Sequence, residues 1–523
     1  MNAFRAALCA ALFLVCGPGC GPVPAAAQDV TLYSRDGTIE IGGTLLGYDG
    51  EFYRVETIYG EITVDGSGVL CEGVGCPNLD TFVAEVGISG SATMGRVLMP
   101  ALLEAFAARE GYDIRREQVE ESYVLYSLSD RRSGEDVARF HFHVTNTDEG
   151  FADLLADEAD IVMSLREIRR DEARLASEAG LGDLESANRS RVVALDAMVP
   201  IVSPTNPVHE ITVLQLAQVL AGRIDNWEKL GGPDAPITVR LRDSASGLAQ
   251  AVEDRVLAPA RLPLRVDVER HPDNLSLAEA VAGDLLSLGV ASYSDIGNAR
   301  ALTIGGACDF SLRAERRTIK TEDYPLTAPM FLYLPARRLP KLAREFLRFT
   351  RSDPAQIVIR RAGFVDQAPE EIPLDMQGDR LANAVTVAGA GSPEAELYRL
   401  VRTLRPMARL SISYRFESGA TRLDAQSRSN VQQLAREIEA GTYDNRTLVF
   451  VGFSDGQGPH EANQAIAERR AAAVMEAVRT AAETADFSRL EMSSDAFGEA
   501  MPMACDDTSW GRQTNRRVEV WLR

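Results

Sequence analysis

Arg242 is followed by Asp243-Ser-Ala-Ser-Gly247, which places a guanidinium, two hydroxyls and a glycine close together. These are the donor types that enclose a small oxyanion. Before them, Ile237, Val239 and Leu241 alternate with Thr238, Arg240 and Arg242, the period of a strand. After them, Leu248, Val252 and Val256 recur at every fourth position, as on one face of a helix. Arg242 therefore stands at a strand end, and Ser246-Gly247 opens a helix whose free N–H groups and dipole favour an anion. A capped helix beside a surface arginine would account for the same residues without a ligand.

A second constellation lies near the C-terminus. The buried strand pattern Leu448-Val-Phe-Val451 ends at Gly452-Phe-Ser-Asp455, and Arg470 interrupts the apolar row Ile466, Val474 and Val478. An arginine on such a stripe needs a partner or a ligand, and Asp455 is the candidate to share its site. His141 and His143 lie on one strand face, but no third metal ligand accompanies them. No Ser/His/Asp or Cys/His set accompanies the Arg242 stretch, so we expect neither an enzyme nor a cofactor.

Several elements must position these groups. A chain of 523 residues, 45% hydrophobic and 25% charged, has the composition of two to four globular domains. Its net charge of −21 argues against nucleic acid as a partner. A basic start, an apolar run from Ala6 to Val15 and Ala25-Ala-Ala27 read as a secretory signal over 1–27, with lipidation at Cys16 or Cys20 as the rival. Export makes disulfides expected, and Cys71 with Cys76 can close a short loop; spacing does not say whether Cys308 and Cys505 pair. Residues 29–80 read as a small β unit, 85–368 as an α/β domain, 369–402 as a linker, and 403–523 as an α+β domain.

The central domain resembles the phosphate-binding proteins of ABC transporters (PstS-like). The resemblance rests on Asp196, Asn206-Pro207, Gly222-Arg-Ile-Asp-Asn-Trp227, Gly231-Gly232 and Arg242-Asp-Ser-Ala-Ser-Gly247. It implies a two-lobed periplasmic-binding-protein fold that closes on its ligand by a hinge. It also places Ser91, Thr93, Thr147, Arg242, Ser246 and Gly247 around phosphate or a related oxyanion, with an ABC permease as a further partner. Two positions depart from the pattern: Leu165 replaces an aspartate and Leu248 a threonine. At roughly 1–3 kcal/mol for each lost polar partner, the difference is large enough to decide whether phosphate binds.

The C-terminal region resembles the OmpA-like peptidoglycan-binding domain through Gly452-Phe-Ser-Asp455, Gly458, Asn463, Arg470-Ala471, Val474 and Asn515-Arg-Arg-Val-Glu519. The family serine is Ala467 here. The resemblance implies that Asp455, Asn463 and Arg470 hold a diaminopimelate stem, with Asp455 on its ammonium and Arg470 on its carboxylate. The expected protein is a solute-binding protein of the Gram-negative periplasm, held at the wall and outer membrane. The alternative is a ligand-free structural protein of the envelope.

Overall fold

The computed structural model describes residues 29–523 apart from 80–81, 187, 307, 309, 389–393 and 417–421. The leader expected over 1–27 and the Ser418-Gly419 turn lie outside the described residues. No helix among the described residues is long and apolar enough to cross a membrane. The chain forms two compact units, which divide after Phe82.

The first unit is an antiparallel five-stranded sheet. Sequence suggested separate strands at 38–41 and 43–47. The structure joins them as Glu40–Tyr48, with a bulge between Leu45 and Gly47 that lets one strand twist past the break. A strand not foreseen, Val69–Glu72, closes the other edge. Among the described residues, Val30, Leu32, Tyr53 and Val55 form the buried core, and a Cys71–Cys76 disulfide fastens its end. For so small an apolar core, that staple is a substantial part of the stability.

In the second unit one long sheet runs through both lobes of an α/β fold. Its spine is Ser190–Val202, thirteen residues that are buried almost throughout, as the apolar run over 192–202, interrupted only at Asp196, predicts. The N-terminal part of the spine pairs with Thr327–Tyr333, and its C-terminal part pairs with Ser287–Ser292. Ala84–Ser91, Asp136–Thr145 and Ile161–Ser164 build the first lobe. Thr238–Arg242 and Glu269–His271 extend the second.

Several landmark residues of the central domain fasten this fold. Trp227 is fully buried and its indole Nε1 donates to Leu286 O at 3.0 Å. Asn206 Nδ2 donates to Leu285 O, and its Oδ1 accepts the Val208 N–H. Asp196 is buried at the middle of the spine. Its carboxylate accepts the Ala197 N–H and the Ser292 hydroxyl, yet burial still pushes its pKa up to about 6.

The C-terminal domain is a second five-stranded sheet, covered by the helices Ala425–Glu439 and His460–Ala481. Asp424 caps the first helix, and Val431, Leu434, Ala435 and Ile438 form its buried face, as their spacing predicts. The stretch read as a linker is packed. Glu371–Pro373 adds an edge strand to the sheet, where a proline is tolerated. Leu374, Ala384, Leu397, Leu400 and Leu404 then pack on Val449, Val451 and Trp521. The spacing of Leu397 and Leu400 predicts a short helix, which is the one found at Glu394–Leu404.

Candidate functional site

The six residues expected around an oxyanion fall at strand ends and helix starts of the two lobes. Ser91 ends its strand, is fully buried, and its hydroxyl has no hydrogen-bond partner. Thr93 leads into the helical segment Met94–Leu98 without capping it through its side chain. Thr147 opens the helix Thr147–Leu155, which is capped by Asn146, and its Oγ1 accepts the Leu165 N–H at 3.1 Å. Gly247 begins a helix of the opposite lobe. A Cβ on Gly247 would lie 3.0 Å from Leu165 Cδ1 and 3.6 Å from Ser91 Oγ. Ser91, Thr147, Leu165 and Gly247 therefore converge where the lobes meet.

Arg242 and Ser246 are engaged within their own lobe. Arg242 donates through Nε to His271 O at 3.3 Å, through Nη2 to Pro272 O at 2.8 Å, and through Nη1 to Asn274 Oδ1. Those bonds use three of its five donor hydrogens. Burial lowers its pKa, Asp243 and Asp273 oppose the shift, and Arg96 from the other lobe adds to it. Ser246 Oγ accepts the Ala249 N–H as an N-cap. Leu248 is a core residue of the lobe.

Sequence reasoning missed the ionic belt beside the cleft. Arg166 is buried and stacks over the Phe151 ring, with its guanidinium on Glu172 and Asp148. Across the lobes, Arg169 reaches Asp254 at 3.0 Å and Gln250 Nε2 reaches Asp148 at 3.3 Å. Burial works against the Asp148 carboxylate, but Arg166 and Arg169 outweigh it and hold its pKa below the usual carboxylate range. The available signal was an arginine directly after a buried strand, which must find a counter-charge. His143 Nδ1 lies 2.6 Å from Asp153, and its ring stacks on Tyr123.

In the C-terminal domain, Asp455 pairs with Arg516 at 2.9 Å and not with Arg470. Arg516 belongs to the Asn515-Arg-Arg-Val-Glu519 stretch, so the motif contains the partner although its spacing does not reveal it. Arg470 lies over the Phe416 ring at 5.1 Å, and among the described residues no carboxylate is within ion-pair distance of it. Burial and Arg516 lower its pKa, while Asp455 opposes them. Asn463 is buried and its Nδ2 has no acceptor.

The two domains of this unit are joined by more than chain connectivity. A disulfide links Cys308 of the second lobe to Cys505, and Trp510 Nε1 donates to Arg255 O at 2.9 Å. On the first lobe, the Ala425 N–H reaches Glu167 Oε1 at 3.1 Å. Beneath the C-terminal sheet, Asp323 takes Arg409 in a two-pronged pair at 2.7 and 3.1 Å. Glu519 takes Arg517 at 2.7 Å, Arg380, and the Trp521 N–H. A cavity of about 370 Å³, lined by Arg166, Arg255, Glu322, Arg415 and Asp424, remains at the junction.

These features define a two-lobed solute-binding fold carrying a C-terminal α+β domain. Residues 83–354 match the model of the PBP superfamily domain, and residues 415–516 that of the OmpA family. The first match spans more than half of the chain, which belongs to the PBP superfamily.

Relatives match parts of the chain. The phosphate-binding protein PstS of Borreliella burgdorferi is 26% identical over 189 residues, covering 35% of this chain and 67% of that protein. PstS of Bacillus subtilis is 26% identical over 187 residues, 36% of this chain and 60% of that protein. An ABC-type phosphate transport receptor from Vibrio cholerae superposes with a TM-score of 0.41 at 20% identity, covering 54% of this chain and 99% of that one.

Proposed function

We propose that the chain is an envelope solute-binding protein whose interlobe cleft takes a small oxyanion of the phosphate class. The observation that carries this reading is the Ser91 hydroxyl. It is fully buried without a partner at the point where Gly247 of the opposite lobe closes on it. A buried hydroxyl left unmade costs about 1–3 kcal/mol, which a ligand oxygen would return. Arg242 and Arg96 add positive potential from the two sides. The names of the relatives support phosphate as the first anion to try.

The test is isothermal titration of the exported chain, residues 28–523, with phosphate, sulfate and methylphosphonate. Saturable heat is expected, with an affinity that falls at least about tenfold in Ser91→Ala, from the loss of one charge-assisted bond. A specific observation favours the second reading, a ligand-free envelope scaffold: Leu165 occupies the meeting point and its N–H already uses Thr147 Oγ1. No heat with any of the three anions, from protein shown to be folded, would establish the scaffold instead.

The C-terminal domain is proposed to hold the chain at peptidoglycan through Asp455, Asn463 and Arg470. Co-sedimentation with isolated diaminopimelate-type peptidoglycan should be lost in Arg470→Ala. Retained binding in that variant would reject the assignment of the stem carboxylate to Arg470.

A further inference from the structure

A cluster of arginines in this acidic chain lies outside the cleft. A concavity of about 830 Å³ is walled by both domains of the second unit. Arg189 and Arg191 enter it at the start of the spine strand, Arg344 and Arg348 from the helix Lys341–Phe349, Arg351 just beyond that helix, and Arg436 from the helix Ala425–Glu439. Asp353 and Glu437 are the only carboxylates among its lining residues. Glu437 already accepts the Thr442 hydroxyl.

Elsewhere the guanidinium groups of Arg166, Arg240, Arg409 and Arg517 each sit on a carboxylate. Among the described residues, no carboxylate is within ion-pair distance of Arg191, Arg351 or Arg436. The Arg191 Nε is buried without an acceptor. Arg351 and Arg436 are exposed at the mouth, while Arg191 is half-buried. Although Arg351 keeps exposed surface, the protein crowded around its guanidinium, then Arg191 and Arg436, push it down to about 8; burial, then Arg436 and Arg189, push Arg191 down to about 10. Guanidinium groups keep their protons in proteins, so the cost of this crowding is carried as repulsion until an anion relieves it.

We infer that this concavity is a second anion site, distinct from the interlobe cleft, which takes a phosphoryl group carrying two or more negative charges between the solute-binding and C-terminal domains. Three unpaired guanidinium forks match the paired oxygens of such a group. The volume exceeds that of a single phosphate ion and suits a pyrophosphate or a phosphorylated headgroup. Free oligophosphate and the phosphate of an anionic lipid share this chemistry, and the two arms of the test separate them.

The test uses the chain over residues 28–523 at low ionic strength, with the double variant Arg191→Gln/Arg351→Gln, the single variant Arg436→Gln and the cleft variant Ser91→Ala. Inorganic pyrophosphate should bind the parent and Ser91→Ala alike. Its affinity should fall at least about tenfold in the double variant and in Arg436→Gln. Without ligand, the double variant should melt at the parent temperature or a few degrees above it, on the order expected from relieving repulsion in a chain of this size.

In the second arm, the same proteins are sedimented with phosphatidylcholine vesicles with and without phosphatidic acid. Binding to the phosphatidic acid vesicles alone, lost in the arginine variants and accompanied by no pyrophosphate heat, would assign the site to a lipid headgroup. The proposal is overturned if neither probe binds, if the arginine variants bind as well as the parent, or if the ligand-free double variant melts lower. The last result would show the arginines to be structural supports.

Discussion

Replacing Cys308 with serine is expected to destabilise the second unit by about 5 kcal/mol, the loop-closure entropy of a crosslink spanning 197 residues. That is as large as the whole stability of many domains. The expected phenotype is separation rather than global collapse. Each domain keeps its own core, so calorimetry should show the C-terminal domain melting apart from the two-lobed domain in Cys308→Ser/Cys505→Ser. In the parent their melting should be linked. Gly306 belongs to the same device, because a side chain there would overlap Cys505 Sγ. Superimposable melting of parent and double variant would show that the noncovalent interface alone fixes the domains.

The second large effect is expected at Glu519. Its carboxylate is fully buried among Arg380, Arg409 and Arg517, and with Asp323 it balances three guanidinium groups. Burial by itself would raise the Glu519 pKa, but the three arginines outweigh it and hold the group ionised. Glu519→Ala would leave three buried cations facing one carboxylate, at a cost of about 3–5 kcal/mol. Arg174→Ala, which breaks the exposed pair with Glu178, should change stability by less than about 1 kcal/mol. Urea denaturation of the two variants checks the contrast. Equal shifts would mean that relaxation or water entry compensates the buried charges.

What could be read from sequence divides along physical lines. Period and capping were legible wherever one element buries one face, as at Asp424 with Val431, Leu434 and Ile438. So was the spine, because residues 192–202, all buried, leave an apolar run interrupted only at Asp196. Side-chain partnership was not legible. Nothing in the spacing says that Arg242 turns to His271, Pro272 and Asn274, or that Asp455 takes Arg516 in place of Arg470. Those choices are settled by strands and loops brought together from distant positions. The Arg166 belt and the arginine concavity were missed for the same reason: each draws one residue at a time from separate elements. The packed stretch after residue 369 was hidden because its apolar residues serve a sheet formed later in the chain.

The junction between the domains treats the two lobes unequally. The second lobe is tied covalently at Cys308, whereas the first meets the C-terminal domain through noncovalent contacts, such as Glu167 with the Ala425 N–H and Glu185 with Arg422. If the C-terminal domain is anchored to the wall, the second lobe becomes the stator and the first the arm that swings. Any opening of the cleft would then appear as a displacement of the first lobe against a fixed base. A partner that recognised that lobe would read the occupancy of the cleft without touching the ligand.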